Sequence, residues 1–279
     1  MKKITIFVLL ILLGNLQPAN AAEVLPEPFF KYLGSKYLGS PGIILINGAS
    51  NEVVYQDGAS KPRKPASVLK IISTSAIALT LDTTTVFKTA IYKTKKKGVF
   101  VIWGDNDPWI TSNAKYRDAN KRAYMPALIK AAFASDKSLK KINLIYKGVN
   151  NSDILYAKRA LKRKSSVAYK PLSKSVEVES LITEKIKEVS SPPLHKMIRF
   201  ALLYSDNVLS QRLAMLATGK NGYPLTRTGL NKMANDKISE LGVDTTGMVL
   251  MDGSGLSGQN RVSAVTVSQL LLKVKSEPR

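Results

Sequence analysis

Apolar residues at 68, 69, 71, 72, 76, 77, 79 and 81 cover most of the surface of one helix, predicted over Leu69 to Leu81. Such a pattern predicts burial on nearly all sides, in the middle of a domain. Upstream, the β-branched runs Ile43–Ile46 and Val53–Tyr55 flank Asn47-Gly48-Ala49-Ser50-Asn51. They predict a β-hairpin whose loop is longer than a tight turn. After Leu81 the character changes. Thr83 to Lys93 and Gly98 to Trp103 read as strands, the second ending in the turn signal Gly104-Asp105-Asn106-Asp107-Pro108. Met125 to Phe133 reads as a helix and Ile142 to Tyr146 as a strand. Ser152 to Ser191 is basic, polar and weakly periodic, and no element is predicted there.

Helical spacing returns at Pro193, with Leu194, Met197, Ile198, Ala201 and Leu202 on one face. Tyr204-Ser205-Asp206-Asn207 leads into a second helix from Val208, with Ser205 as its expected N-cap. Ile238 to Leu241 closes a further helix at Gly242. Asp252-Gly253-Ser254-Gly255-Leu256-Ser257 is a glycine-rich loop, and Ser263 is placed to cap a helix over Ala264 to Lys275.

The N-terminus changes the compartment. Lys2 and Lys3 precede a ten-residue apolar run, Ile4 to Leu13, followed by Pro18 and Ala19-Asn20-Ala21-Ala22. These have the order of a secretory signal peptide, residues 1–21, cleaved after Ala21 or Ala22. The run is too short to span a bilayer comfortably. The expectation is an exported protein, periplasmic or extracellular at the cell wall. With no cysteine among 279 residues, disulfides and thiolate metal sites are excluded. His195 is the only histidine, which excludes a histidine-rich metal site, and it reads as helix surface. No metal or cofactor is expected. The acidic loop at Asp105–Asp107 lacks the further ligands and closing glutamate of a calcium loop, so it reads as a turn.

Charge adds less than its size suggests. Lys+Arg 42 against Asp+Glu 20 gives +22, which favours anionic partners such as a wall polymer or membrane surface. Yet the lysines are spread out, clustering only at Lys95-Lys96-Lys97 and Lys162-Arg163-Lys164. No interleaved aromatic-basic module supports nucleic-acid binding, and none is expected.

Candidate chemistry lies at the head of the predicted buried helix. Ser67 sits at its first turn, where free N–H groups and the positive dipole end point outward. Lys70, three positions on, shares its face. A desolvated lysine can lose its proton and activate a serine. The spacing alone is weak, because Ser112…Lys115 and Ser138…Lys141 repeat it. A capping serine beside a lysine at the core edge would look the same.

Ser67-Val68-Leu69-Lys70 with Ser205-Asp206-Asn207 resembles the first two signatures of penicillin-recognising serine enzymes, S-x-x-K and S-D-N. Pro65-Ala66-Ser67-Val68-Leu69-Lys70, Gly104-Asp105-Asn106-Asp107-Pro108, Ser191-Pro192-Pro193-Leu194 and Asp252-Gly253-Ser254-Gly255-Leu256-Ser257 narrow the match. In this order they resemble the class C low-molecular-mass penicillin-binding proteins, serine D-alanyl-D-alanine carboxypeptidases/endopeptidases. The resemblance runs from about Gly42 to Val274. It implies an α+β (mixed α/β) fold like that of penicillin-binding proteins and serine β-lactamases, with a helical half, an antiparallel sheet and an inserted subdomain. The expected division is a first catalytic segment at 22–82, the insert at 83–185 and a second catalytic segment at 186–279. The resemblance assigns Ser67 as acylated nucleophile, Lys70 as its base, Ser205 as proton shuttle and Asn207 as holder of the peptide backbone. It also implies peptidoglycan peptide as substrate and β-lactams as covalent inhibitors.

One family motif is not found. No Lys-Thr-Gly follows the Asp252 loop, Lys88-Thr89-Ala90 lies in the insert, and Arg227-Thr228-Gly229 precedes the loop and leads into a helix. The expectation is therefore a chain truncated before that motif, its last sheet strands missing. The alternative function is an inactive or truncated relative that only binds cell wall.

Overall fold

The computed structural model describes residues 25–161, 166–173 and 175–276. The expected signal peptide and Lys162-Arg163-Lys164 lie outside them. Two compact units are distinguished, residues 1–63 with 262–279, and Lys64–Arg261.

In the first unit, helix α1 (Glu27–Leu33) precedes the predicted hairpin, β1 (Ile43–Ile46) and β2 (Val53–Asp57), which pair antiparallel. The Asn47 side chain accepts from the Ala49 and Ser50 N–H groups and shapes the long loop. Phe29 and Phe30 meet Tyr55 edge-on. Arg63 and Val262 exchange backbone bonds of 3.0 Å, joining the two segments of this unit. As expected, the Ser263 hydroxyl caps the final helix, Ala264–Ser276, by accepting from the Thr266 N–H.

The second unit holds a five-stranded mixed sheet and a group of helices. After a 3₁₀ turn at Ala66–Val68, α2 (Leu69–Thr80) is the predicted buried helix. Leu69, Lys70, Ile72, Ser73, Thr74, Ala76 and Ile77 are all buried in it. The sheet contains β3 (Lys88–Thr94) and β4 (Val99–Gly104), an antiparallel pair. Helices α3 (Ala114–Asn120) and α4 (Met125–Ser135) lead to β5 (Ile142–Lys147), which runs parallel to β4. Helix α5 (Asn151–Ala160) leads to β6 (Val167–Pro171), parallel to β5, and β7 (Ile182–Ser190) pairs with β3 from the other side. The order is β6-β5-β4-β3-β7. Parallel neighbours require crossovers, and α3, α4 and α5 lie in them. Ile142, Leu144 and Tyr146 alternate inward on β5 and join Ile91, Ile102, Leu128 and Ile129 in a core.

Past the sheet come α6 (Leu194–Leu203), α7 (Asn207–Lys220) and α8 (Arg227–Ser239). All three pack on α2.

Three expectations are corrected. Residues 83–87 are not strand. Asp82 accepts from the Thr84 N–H and hydroxyl, starting a turn, and the Thr83, Thr85 and Phe87 carbonyls accept from His195, Leu194 and Ser191 N–H groups. The stretch from 152 to 191 is not featureless, for it contains α5, β6 and β7. It escaped pattern reading because β7 buries no residue fully and α5 buries only Asp153, Ile154 and Ala157. Finally, Leu202 is exposed, because the buried stripe of α6 runs Leu194, Met197, Ala201 and turns away before it.

Candidate active site

Two tight backbone turns present the four candidate side chains. The turn onto Ser67 places Ala66 at φ +46°, in the left-handed region that costs a non-glycine residue about 1–3 kcal/mol. A side chain at position 255 could not tolerate this turn, because a Cβ there would lie 1.8 Å from the Ala66 carbonyl oxygen. Gly255 has φ +91°, so both its space and its conformation demand glycine.

Ser205 has φ +51°. It is not the N-cap of α7, as the sequence suggested. Asp206 takes that place, accepting from the Leu209 N–H at 2.9 Å. Relieved of capping, the exposed Ser205 hydroxyl donates to Ser67 Oγ at 2.9 Å.

Lys70, in the first turn of α2, is 2% exposed. Its Nζ donates to Asn207 Oδ1 at 2.6 Å and to the Ser254 carbonyl at 2.7 Å, and it lies 3.4 Å from Ser67 Oγ. The structure thus brings Ser67, Lys70, Ser205 and Asn207 into one cluster, although 138 positions separate the two serines. Burial lowers the Lys70 pKa from its ordinary value, while the negative charges of Asp252 and Asp206 oppose that shift.

Sequence reasoning missed the part played by the Asp252 loop. Asp252 Oδ1 accepts from the N–H and hydroxyl of Ser254 and the N–H of Gly255, each at 2.7 Å, and from the Leu256 N–H at 3.3 Å. Oδ2 accepts from the Ser257 N–H at 2.7 Å and Asn260 Nδ2 at 3.0 Å. Burial pushes this carboxyl up, but those hydrogen bonds prevail and hold it well below the usual carboxylate range. Gly253 fastens the loop at both sides. Its carbonyl accepts from Ser73 Oγ of α2 at 2.8 Å, and its N–H donates to Gln211 Oε1 of α7 at 2.7 Å. The readable signal was an aspartate followed by small residues, the usual composition of a turn closed by a carboxylate.

The other residues singled out in the sequence lie elsewhere. His195 is exposed, with Nδ1 3.1 Å from the Thr83 carbonyl. Asp105 accepts from the Lys88 N–H. Asp107 is buried and accepts from Ser191 Oγ at 2.6 Å and the Trp109 N–H at 2.8 Å. Arg227-Thr228-Gly229 opens α8 behind its Thr226 cap.

Residues 156–279 match the D-Ala-D-Ala carboxypeptidase 3 (S13) family. A curated relative, carboxypeptidase DacB of Mycolicibacterium smegmatis, is 25% identical over 282 residues, covering 84% of this chain and 61% of its own length. The chain therefore spans about three-fifths of that relative. Among solved structures, penicillin-binding protein 4 (dacB) of Haemophilus influenzae, in complex with a β-lactam, superposes with a TM-score of 0.63 at 15% identity. That match covers 85% of this chain and 75% of the other, and it shows the shared fold. A second structure of the same Haemophilus protein superposes equally well, over 84% of this chain. Over residues 156–279 the sequence is thus similar to the S13 D-Ala-D-Ala carboxypeptidases, and the fold is the one seen in penicillin-binding protein 4.

Proposed function

We propose that the protein is a serine D-Ala-D-Ala carboxypeptidase/endopeptidase acting on peptidoglycan stem peptides through an acyl-enzyme on Ser67. One observation carries the reading, the set of partners around Lys70 Nζ. A neutral amine has two N–H donors and one lone pair. Asn207 Oδ1 and the Ser254 carbonyl, at 2.6 and 2.7 Å, take the two donors. The lone pair is left for Ser67 Oγ, the longest of the three contacts at 3.4 Å. Desolvation favours that neutral form.

In this reading Ser67 Oγ attacks the carbonyl carbon of the D-Ala-D-Ala bond and its proton passes to Lys70. The proton then moves through Ser205 to the nitrogen of the departing D-alanine, leaving an ester on Ser67. Water hydrolyses the ester and restores the hydroxyl. The Ser67 N–H, at the positive end of its helix, supplies an oxyanion donor. Asn207 Oδ1 accepts from Lys70, and its Nδ2, which has no hydrogen bond among the described residues, would hold the peptide backbone of the substrate. β-Lactams would acylate Ser67 by the same attack. The leader-like residues 1–21 support export to the envelope, where this substrate lies.

The test is intact mass after incubation with a labelled penicillin. A stoichiometric adduct that disappears in Ser67→Ala is the expected result. Absence of adduct from folded protein that still sediments with cell wall would replace this reading with a wall-binding role.

A further inference from the structure

Two lysine-bearing segments that lie far apart in the sequence meet at one end of the five-stranded sheet. The turn from β3 to β4 carries Lys95, Lys96 and Lys97, and the segment between α4 and β5 carries Lys137, Lys140 and Lys141. Strands β4 and β5 begin next to each other, with Val99 paired to Asn143, whose N–H donates to the Gly98 carbonyl at 2.8 Å. Lys97 reaches across to Asp136 at 3.5 Å. All six lysines are exposed, and among the described residues Lys95, Lys96, Lys137, Lys140 and Lys141 make no ion pair. Lysines that look scattered along the chain are thus gathered by the parallel pairing of β4 with β5.

This end of the sheet is remote from the serine cluster. At the opposite end Lys88 pairs with Ser190, and the chain passes through Ser191 to α6, which packs on the helix that follows Ser67. The length of β3 separates the two ends by about 20 Å. A groove of about 330 Å³ lies between the two lysine segments. Its lining includes Asp136, which holds Lys97 and accepts from the N–H and hydroxyl of Ser138, so an anion entering the groove would meet a carboxylate. Lys95, Lys137, Lys140 and Lys141 stand outside that lining. Among the described residues, no large apolar side chain of 93–100 or 135–141 is exposed, so none is available to insert into hydrocarbon.

We propose that this end of the sheet is a docking surface for a layer of anionic lipid headgroups, held by charge and without insertion. Charge complementarity selects an anion, and the geometry selects a plane over a thread. A linear phosphate polymer would need a cationic track or cleft, whereas here the cleft carries a carboxylate and the free lysines stand around it. A layer of lipid phosphates meets those lysines together, and a cluster of basic residues near such a surface is drawn to it by the negative surface potential. Docking at this end leaves the opposite end of the sheet, and the serine cluster beyond it, open to solvent. The inference stands independently of the hydrolase reading above.

Co-sedimentation with vesicles tests it, using the chain as it stands after cleavage of the expected leader, so that residues 1–21 cannot themselves bind lipid. Binding is expected to phosphatidylcholine vesicles that contain phosphatidylglycerol, and not to phosphatidylcholine alone. Raised ionic strength should release the bound protein. One lysine near such a surface is worth about a fivefold change in affinity, so Lys96→Gln/Lys140→Gln/Lys141→Gln should bind about a hundredfold more weakly than wild type. Lys121→Gln/Lys196→Gln/Lys220→Gln removes the same charge from exposed sites on or beside other helices and should lose far less. Thermal melts check that both variants fold; should either melt below wild type, the single changes Lys140→Gln and Lys196→Gln, about fivefold and near-neutral, take their place. Equal losses in the two variants would overturn the proposal, because net charge and not this end of the sheet would then be responsible. Salt-resistant binding to phosphatidylcholine alone would overturn it too. Failure to bind either vesicle would also reject it, and capture of soluble polyphosphate that depends on Lys96, Lys140 and Lys141 would then assign them to a phosphate polymer.

Discussion

Replacing Asp252 with asparagine changes one atom and should disturb both stability and catalysis. The carboxylate accepts six hydrogen bonds, four at Oδ1 and two at Oδ2. An amide that keeps Oδ1 sets an NH₂ against the Ser257 N–H and Asn260 Nδ2, donor against donor. Asn260 cannot relieve this by turning over, because its Oδ1 already accepts from the Met251 N–H at 2.7 Å. Each lost bond to a charged group is worth roughly 1.5–3 kcal/mol. Asp252 is partly exposed, so the two bonds together are discounted to about 2–4 kcal/mol. For a domain of this size that corresponds to a melting temperature lower by roughly 5–15 °C. The folded carboxyl is held below its unfolded value, so the wild-type contribution is present above the ordinary carboxylate range and lost as pH falls through it. The deficit of Asp252→Asn should therefore be full at pH 7 and narrow in acid. Catalysis carries a second signature. Asp252 raises the Lys70 pKa, so its neutralisation should move the acid limb of penicillin acylation to lower pH while the maximal rate falls. Thermal melts monitored by circular dichroism and acylation rates across pH measure both effects. A melting point within about a degree of wild type, with an unmoved acid limb, would refute the role assigned to the loop.

Ser205→Gly should keep or slightly raise stability, by up to about 1 kcal/mol, because glycine adopts φ +51° without strain. Its acylation rate should nonetheless fall about a hundredfold with the loss of the shuttle hydroxyl, and equal rates would contradict the assigned role. At Asp107, burial lifts the pKa to about 6, against the hydrogen bonds from Ser191 and the Trp109 N–H. A raised carboxyl stabilises fully below its unfolded pKa and loses that contribution as pH rises through 6, here about 3 kcal/mol. Urea unfolding should thus show wild type losing that much more than Asp107→Asn between pH 4 and pH 8, and parallel curves would exclude it. Gly255→Ala should misplace the Ser67 turn and lower both the acylation rate and the urea midpoint, since its Cβ would collide with the Ala66 backbone. Unchanged values for that variant would mean that the loop and the turn move apart freely.

The readable parts of the chain were those where burial imposes a period or a turn demands a residue type. Helix α2 announced itself because its surroundings are apolar on several sides, and the 43–57 hairpin because branched residues flank Asn-Gly. Elements touching the core along a narrow stripe stayed hidden. Edge strand β7 and helix α3, which buries nothing, carry no apolar rhythm to read. The side chains of the site were legible as types and spacings, and their contacts were not. Ser205 looked like a cap because serine caps helices, but the chain turns one residue earlier and Asp206 takes the hydrogen bond. That Lys70 rests on the Ser254 carbonyl could not be inferred from composition, since a backbone acceptor leaves no mark on the sequence.

The bonds at Lys70 Nζ also bear on how the protein folds. Asn207 and Ser254 reach it from 137 and 184 positions along the chain. Contacts at such separation are entropically expensive to close, and they form slowly relative to local helices. A refolding molecule could regain most of its helical circular dichroism while Lys70 still lacked both partners. Penicillin capture would then return as a later phase than helicity, making acylation a clock for the arrival of the last segment rather than a simple assay of activity.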